Sequence, residues 1–260
     1  MIHLNLRETE DWGSIKLDEW MSREIGAVDY WQEHKTNRVP QFNEFYNIDY
    51  FEFRRRVKKI ANDVHNRMGL SVIYQGRNQT DFIGYINDDD WILPIDDDDW
   101  LHPNIRKVVD GIRGYDYMCW DALVLATSQC YHIEQYSTWS KRFPICTNAY
   151  MLRAGFLKTL EPWQASQLLF GHTQSMDRTI KWGGRILDRR SDLCLSAYNR
   201  HLAAMSYMNS SSHSFDDSIP INQVPELKKD WQWAEPEFCL MVELVQSLRQ
   251  PLPQTLILHL

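Results

Sequence analysis

The segment that most restricts the fold of this 260-residue chain is an apolar run enclosed by carboxylates at residues 88–99. Three aspartates precede the run at residues 91–95, and four more, Asp96, Asp97, Asp98 and Asp99, follow it directly. A compact apolar run bounded in this way is typical of a buried strand. In open α/β sheets, ligands bind outside the carboxyl ends of the strands. We therefore expect the four aspartates to lie at a ligand-binding edge.

Adjacent carboxylates at a strand end repel one another, and a bound cation relieves that repulsion. Carboxylate oxygens suit Mg²⁺, Mn²⁺ or Ca²⁺. A divalent cation that also binds phosphate oxygens would neutralise the charge of a diphosphate leaving group. The alternative interpretations are a solvated acidic turn at residues 96–99 and a second solvated turn at residues 88–90.

Strand-like and helix-like patterns alternate along the chain up to about residue 205. This alternation predicts an α/β fold with a mixed, mostly parallel sheet flanked by helices. The basic residues at 54–59 are interpreted either as a solvated helix face or as a phosphate-contacting patch. Short apolar runs predict strands at 2–6, 70–74, 82–86, 91–95, 115–127, 145–152 and 193–198, and helical spacing predicts helices at 15–25, 51–68, 105–112, 174–182 and 237–249.

The composition argues against several classes of protein. A net charge of −7 and a pI of about 5.7 do not suit non-specific binding of nucleic acid, which needs a basic face. The sequence has neither an 18-residue apolar run nor a signal-peptide pattern, so we expect a cytoplasmic protein without a transmembrane segment. Five scattered cysteines without CxxC spacing predict buried free thiols in a reducing compartment.

The sequence Ile-Leu-Pro-Ile-Asp-Asp-Asp-Asp-Trp-Leu-His-Pro-Asn at residues 92–104 resembles the Asp-x-Asp segment of GT-A-fold glycosyltransferases, particularly the family-2-like group and its rhamnosyltransferase-like branch. In that family an apolar strand ends in Asp-x-Asp-Asp, before a bulky residue and a proline-containing helix start. The resemblance implies that Asp96, Asp97 and Asp98 bind the donor. It also implies that Asp98 ligates Mn²⁺ or Mg²⁺, and that Asp96 contacts the donor ribose or the metal through water.

Two later segments resemble the same family. Ser-Met-Asp-Arg at residues 175–178 resembles the helix start that carries a catalytic carboxylate, which implies that Asp177 is the general base, although Met176 replaces the usual Glu. Tyr-Asn-Arg-His at residues 198–201 resembles the segment that closes over the diphosphate, which implies that His201 completes the metal shell.

The resemblance implies a GT-A-like catalytic domain at residues 1–206, divergent over residues 1–68. The family's strand that holds the nucleotide base has two incomplete counterparts, at residues 2–6 and 70–74. The polar loop at 209–214 and the prolines after it set apart a C-terminal segment, residues 207–260, which we expect to pack on the domain or to close over it as a lid.

The implied function is metal-dependent transfer of a sugar from a nucleotide-diphosphate sugar to a hydroxyl group, with inversion. The acceptor would be a glycan, a lipid-linked molecule or another alcohol. Two other functions stay open: a non-catalytic protein that binds a nucleotide sugar or glycan, and a metal-dependent nucleotidyltransferase. The chain has no glycine-rich or lysine-bearing phosphate loop and no EF-hand loop, which argues against nucleotidyl transfer and structural Ca²⁺ binding. Should Asp177 not be the base, Asp188, Asp192 and Glu161 are the next candidates.

Overall fold

The computed structural model describes residues 2–7, 50–75, 80–96, 98–126, 132–135, 148–171, 174–190, 192–200, 219–220 and 232–248. The strands are β1 (Ile2–Arg7), β2 (Ser71–Gln75), β3 (Trp91–Asp96), β4 (Trp100–Leu101), β5 (Tyr117–Cys119), β6 (Asp121–Ala126), β7 (His132–Gln135), β8 (Tyr150–Arg153), β9 (Ile186–Asp188), β10 (Cys194–Arg200) and β11 (Ile219–Pro220). The helices are α1 (Tyr50–Arg67), α2 (Ile105–Val109), α3 (Ala154–Lys158), α4 (Pro162–Phe170), α5 (Ser175–Lys181) and α6 (Glu235–Leu248), with a 3₁₀ helix at Asp81–Tyr85.

The strands of the described residues form two mixed sheets. The six-stranded sheet has the order β2-β1-β3-β8-β5-β9, and the five-stranded sheet has the order β11-β7-β6-β10-β4. The predicted α/β class is therefore confirmed. The predicted mixed sheet is present as well. Among the residues described, the six-stranded sheet has three parallel and two antiparallel pairs, whereas the five-stranded sheet has one parallel pair, β6 with β10, and three antiparallel pairs.

Three parallel strands end together at one edge of the six-stranded sheet. β1 lies between β2 and β3, with α1 in the connection from β1 to β2. The register places Arg7 opposite Gln75 on one side and opposite Asp96 on the other. β1 and β2, which correspond to the two incomplete counterparts at 2–6 and 70–74, therefore end level with Asp96.

Pro94 affects the pairing of β3 close to this edge. In the described residues the ladder with β1 runs along β3 to Asp96, whereas the ladder with β8 joins Trp91 and Ile92. Proline has no N–H to donate to a ladder. Its position two residues before the end of β3 explains why the pairing with β8 stops before the acidic residues.

Large aromatic side chains fill the core beside β3. The rings of Tyr117 and Tyr150 stack with centroids 5.4 Å apart, and the Tyr150 hydroxyl donates to the Leu168 carbonyl at 2.6 Å. The Arg153 guanidinium lies 3.9 Å from the centroid of the buried Trp91 ring and donates to a backbone carbonyl of the α2 region. These contacts hold β8, β5 and α4 against the strand that leads to the aspartates.

The strand predicted at residues 82–86 is wrong, because these residues lie in or next to a 3₁₀ helix. Ile83 and Ile86 are buried, whereas Gly84 and Tyr85 are exposed. Two buried residues three positions apart lie on one face of a helix with three residues per turn. An alternating strand would have buried every second residue instead.

The single strand predicted at residues 115–127 is wrong as well. The chain forms β5 and β6, which belong to different sheets, with the buried Trp120 between them. The Trp120 backbone N–H donates to the Ala149 carbonyl at 3.1 Å, and its indole N–H donates to Ser196 at 3.0 Å. β5 and the first residues of β6 are buried.

The other predicted elements agree with the structure to within a few residues, except that β8 begins at Tyr150 and the helix predicted at 15–25 lies outside the described residues. α3, α4, β4, β7, β9 and β11 were not predicted. Among the described cysteines, Cys119 is buried but Cys239 is exposed on α6, so the prediction that all thiols are buried is wrong. No helix in the described residues combines the length and apolarity needed to cross a bilayer.

Candidate functional site

The acidic loop, residues 96–99, joins β3 to β4 and so connects the two sheets. The Asp99 N–H donates to the Asp96 carbonyl at 3.3 Å, which closes the loop into a turn. Asp96 is partly buried at the end of β3, Asp98 is 8% exposed and Asp99 is fully buried. Asp97 lies outside the described residues. The burial of Asp98 and Asp99 argues against a solvated acidic turn.

Asp99 anchors the loop to two other segments. Its Oδ2 accepts a hydrogen bond from the Asn148 side chain at 2.9 Å, and its Oδ1 accepts one from the Asn199 backbone N–H at 2.8 Å. Asn148 precedes β8, and Asn199 lies in β10. Hydrogen bonds to an ionised carboxylate are worth roughly 1.5–3 kcal/mol each. Asp99 therefore ties the acidic loop to both sheets.

Asn199 also contacts Asp98. Its Nδ2 donates to the Asp98 backbone carbonyl at 3.2 Å. The Asn199 side chain is 1% exposed, and its Oδ1 has no hydrogen-bond partner among the described residues. A buried oxygen without a donor is uncommon in folded proteins. It identifies a place beside the acidic loop where a bound group can be satisfied.

Further hydrogen bonds extend this network into the five-stranded sheet. The Trp120 indole N–H donates to Ser196 Oγ at 3.0 Å, and Ser196 Oγ donates to Asn148 Oδ1 at 3.5 Å. Trp120, Ser196 and Asn148 are all buried. The network therefore runs without interruption from the crossing between β5 and β6 to Asp99, and it fixes the position of the acidic loop.

The sequence did not single out Asn148, Ser196 or Asn199, although Asn148 lies in the strand predicted at 145–152 and Asn199 in the segment at 198–201 that resembles the family. A signal was present, because an amide inside an apolar strand must find hydrogen-bond partners when it is buried. What the sequence lacked was the identity of those partners, which are about 50 to 100 positions away.

His102 and Trp233 connect the C-terminal segment to this region. His102 follows β4, its N–H donates to the Leu195 carbonyl at 2.8 Å, and its Nδ1 accepts the Asn104 N–H at 3.0 Å. The rings of His102 and Trp233 lie 5.0 Å apart. Burial lowers the pKa of His102, which favours the neutral ring. The described part of the C-terminal segment thus packs close to the acidic loop.

Asp177 is exposed in the first turn of α5. Its helix is anchored where Ser175 Oγ meets the Tyr117 hydroxyl at 2.8 Å. The register places Tyr117 opposite Leu152, which in turn lies opposite Ile92. Ile92 is thus level with the anchor of α5 in the sheet. Along β3 it lies four residues, about 13 Å, before Asp96. In the described residues no contact joins Asp177 to the acidic loop, and its role as base stays a prediction.

The other candidate carboxylates each have a partner. Asp188 forms an ion pair with Arg190 at 2.6 Å, and this hydrogen-bonded contact lowers the pKa of Asp188. Asp192 forms an ion pair with Arg189, and Glu161 completes a capping box at the start of α4. No partner is found for the Asp177 carboxylate in the described part of the chain.

The predicted metal stays a prediction, because the residues described do not show a site for it. These residues contain no group of three or more His, Cys, Asp or Glu placed to hold a metal ion. Asp97 and His201, two of the predicted donor or metal residues, lie outside them. The structure brings Asn199 against the Asp98 backbone carbonyl and the Asp99 carboxylate, and the carboxylates and amide oxygen of these three residues are of the kind that Mg²⁺ and Mn²⁺ accept as ligands.

No protein-family model and no curated protein matches the chain. Among solved structures, S. aureus TarS 1–349 in complex with UDP-GlcNAc is similar with 12% identity and a TM-score of 0.39, over 83% of this chain and 62% of that chain. S. aureus TarS 1–349 is similar with 12% identity and a TM-score of 0.35, over 95% and 82%. This chain therefore spans less than two thirds of the TarS chain in the complex.

Proposed function

We propose that this protein transfers a sugar from a nucleotide-diphosphate sugar to a hydroxyl acceptor, and that a divalent cation at the acidic loop is required. Asp98 is the proposed cation ligand, with Asp96, Asp97 and His201 as further contacts to donor or metal. Asp177 is the proposed general base. The transfer is proposed to invert the configuration of the sugar.

A single observation carries the proposal: an acidic loop stands at the carboxyl end of β3 and is held rigidly between two sheets. Strand ends of this kind are where α/β folds bind ligands. β1 and β2 end at the same level, which gives a nucleotide an edge formed by three strands. Because Asp99 and the two asparagines hold the loop backbone at Asp98, the loop itself would need little reorganisation when a ligand binds.

The protein's own groups have separate tasks in this proposal. A bound cation would neutralise charge on the departing diphosphate. Asp177 would accept the proton of the acceptor hydroxyl while that oxygen bonds to the anomeric carbon and the bond to the diphosphate breaks. Asp177 is exposed in the first turn of α5, so an acceptor hydroxyl can reach its carboxylate.

Donor binding by the wild type and Asp98→Ala tests the proposal. Calorimetry would measure the affinity for UDP, GDP, CMP and dTDP with and without Mn²⁺, and product release would be followed with sugar nucleotides including UDP-GlcNAc. We expect metal-dependent binding in the wild type, and its loss in Asp98→Ala, because the cation loses its principal ligand. Asp110→Ala, which removes an exposed carboxylate in the turn after α2, is the control and should bind as the wild type does.

Equal affinity of wild type and Asp98→Ala in the presence of Mn²⁺ would refute the cation site. Metal-dependent binding without turnover on any acceptor would favour the alternative function, a protein that binds a nucleotide sugar without transferring it.

A further inference from the structure

Asn199 presents a buried oxygen that the described protein does not satisfy. The side chain is 1% exposed, and Oδ1 has no hydrogen-bond partner in the described residues. Removing such an oxygen from water costs free energy unless a donor, a water molecule or a cation replaces the lost contacts. The oxygen belongs to the same residue that contacts both Asp98 and Asp99, so the group that satisfies it would lie beside the acidic loop.

Asn199 makes two hydrogen bonds to the acidic loop, and the one from its side chain determines which way the amide is turned. The backbone N–H donates to Asp99 Oδ1 at 2.8 Å, and Nδ2 donates to the Asp98 carbonyl at 3.2 Å. Turning the amide by half a rotation would bring its oxygen against the Asp98 carbonyl oxygen, and two acceptors would then face each other. The nitrogen is therefore the atom that clamps the loop, and Oδ1 keeps its lone pairs for another partner.

We propose that Asn199 Oδ1 is a ligand of the divalent cation at Asp98, an inference that rests on the proposed function above. An amide oxygen is a hard ligand that Mg²⁺ and Mn²⁺ accept alongside carboxylates. It adds a coordination position without another negative charge in a loop that already holds four aspartates. The same residue would then hold the loop through its nitrogens and the cation through its oxygen.

Electron paramagnetic resonance of Mn²⁺ bound to the full chain provides the affinity test. Asn199→Ala should weaken Mn²⁺ binding about 10-fold or more, the size of effect seen when residues around a metal are disturbed. Ser196→Ala is the matched control, because Ser196 is buried on the same strand and in the same network but contacts Asn148 and not the loop. It should weaken Mn²⁺ binding much less than Asn199→Ala does, because it loosens the network without removing the amide oxygen. Equal weakening in both variants would show that Asn199 acts through the network alone and would overturn the inference.

A spectroscopic test does not depend on how well Asn199→Ala folds. Protein labelled with ¹³C at the asparagine side-chain carbonyl should show an electron–nuclear coupling to bound Mn²⁺. In Asn199→Asp, which keeps an oxygen at this position, Mn²⁺ should still bind and the coupling to labelled asparagine should disappear. Bound Mn²⁺ without coupling in the wild type, or coupling that survives in Asn199→Asp, would overturn the inference and leave a water molecule as the partner of Oδ1.

The two proposals fail in different ways. A wild-type protein that binds no Mn²⁺, alone or with nucleotide diphosphates, overturns the cation site and this inference together. Mn²⁺ binding that Asp98→Ala abolishes, but that shows no asparagine coupling, overturns the role of Asn199 and leaves the proposed function in place.

Discussion

Asp98 and Asp99 are neighbours in the sequence, but their surroundings give them different tasks. Asp99 is fully buried, and both of its oxygens accept hydrogen bonds from asparagines of other segments. Asp98 contributes its backbone carbonyl to the same network and keeps a small exposed fraction of its side chain. We therefore expect Asp99 to act mainly on stability and Asp98 mainly on ligand binding.

Asp99→Asn should lower the free energy of unfolding by about 2 kcal/mol or more, because hydrogen bonds to a charged group are worth roughly 1.5–3 kcal/mol each. Asparagine has the same shape, but its NH₂ group would face one of the two donors that now point at a carboxylate. Urea unfolding followed by tryptophan fluorescence measures the difference. The exposed Asp110→Asn is the control and should unfold as the wild type does. A stable Asp99→Asn variant that cannot bind Mn²⁺ would instead make Asp99 a ligand.

At the scale of the element, α1 shows how far helical spacing can be trusted. Phe53, Val57, Ala61 and Val64 are buried, as their spacing predicts. Three residues of the basic run are solvated, since Arg55 and Arg56 pair with Glu52 and Lys59 pairs with Asp63. Lys58 is buried. These pairs lie within the helix, which favours the solvated face over the phosphate-contacting patch.

His65, on the buried side of α1, makes the stability of the protein depend on pH. Among the described residues neither ring nitrogen has a hydrogen-bond partner, and burial lowers the pKa from 6.5 to about 4. Between pH 4 and pH 6.5 the unfolded chain therefore binds a proton at His65 that the folded protein does not bind. The contribution of His65 is complete above pH 6.5 and is lost as the pH falls from 6.5 to 4. This loss is about 2 kcal/mol between pH 6.5 and 5.

His65→Leu tests this pH dependence, since an apolar side chain of similar size suits a site without partners. Urea unfolding at pH 7 and pH 5 should show a smaller loss of stability for His65→Leu than for the wild type, by about 2 kcal/mol. Carboxylates titrate in the same range and affect both proteins equally, so the difference between the proteins reports on His65. Equal losses would mean that the ring is hydrogen-bonded in solution.

The elements that the sequence predicted correctly are those whose pattern is local. The apolar run that forms β3, the spacing of α1 and the cluster of aspartates can all be read within a short window. Residues 82–86 were assigned to the wrong kind of element because five residues with three apolar side chains fit either a strand or a helix turn. Residues 115–127 were read as one strand because two buried strands in different sheets have the same composition as one.

At the scale of the whole molecule, the candidate site lies where the chain passes from one sheet to the other. The acidic loop makes this passage from β3 to β4, and Trp120 makes it from β5 to β6. The network through Ser196, Asn148 and Asp99 links the two crossings. The partners of the asparagines are about 50 to 100 positions away in the sequence. These partners and the presence of two sheets therefore could not be predicted, whereas the position of the aspartates at the end of an apolar strand was.

The position of the base is also a question of the whole molecule, because an inverting transfer needs a carboxylate on the face of the sugar opposite the diphosphate. Asp177→Asn should preserve the fold and metal-dependent donor binding but reduce turnover about 10²–10⁴-fold, the range of general-base contributions. Product configuration, measured by NMR, should be opposite to that of the donor. Asp188→Asn is the matched comparison. Asp188 is the last residue of β9, in the same six-stranded sheet as β3, and it forms an ion pair with Arg190. It should reduce stability more than turnover. Near-normal turnover in Asp177→Asn, together with a large loss in Asp188→Asn, would move the base to the end of β9, and a retained configuration would exclude the inverting mechanism for either residue.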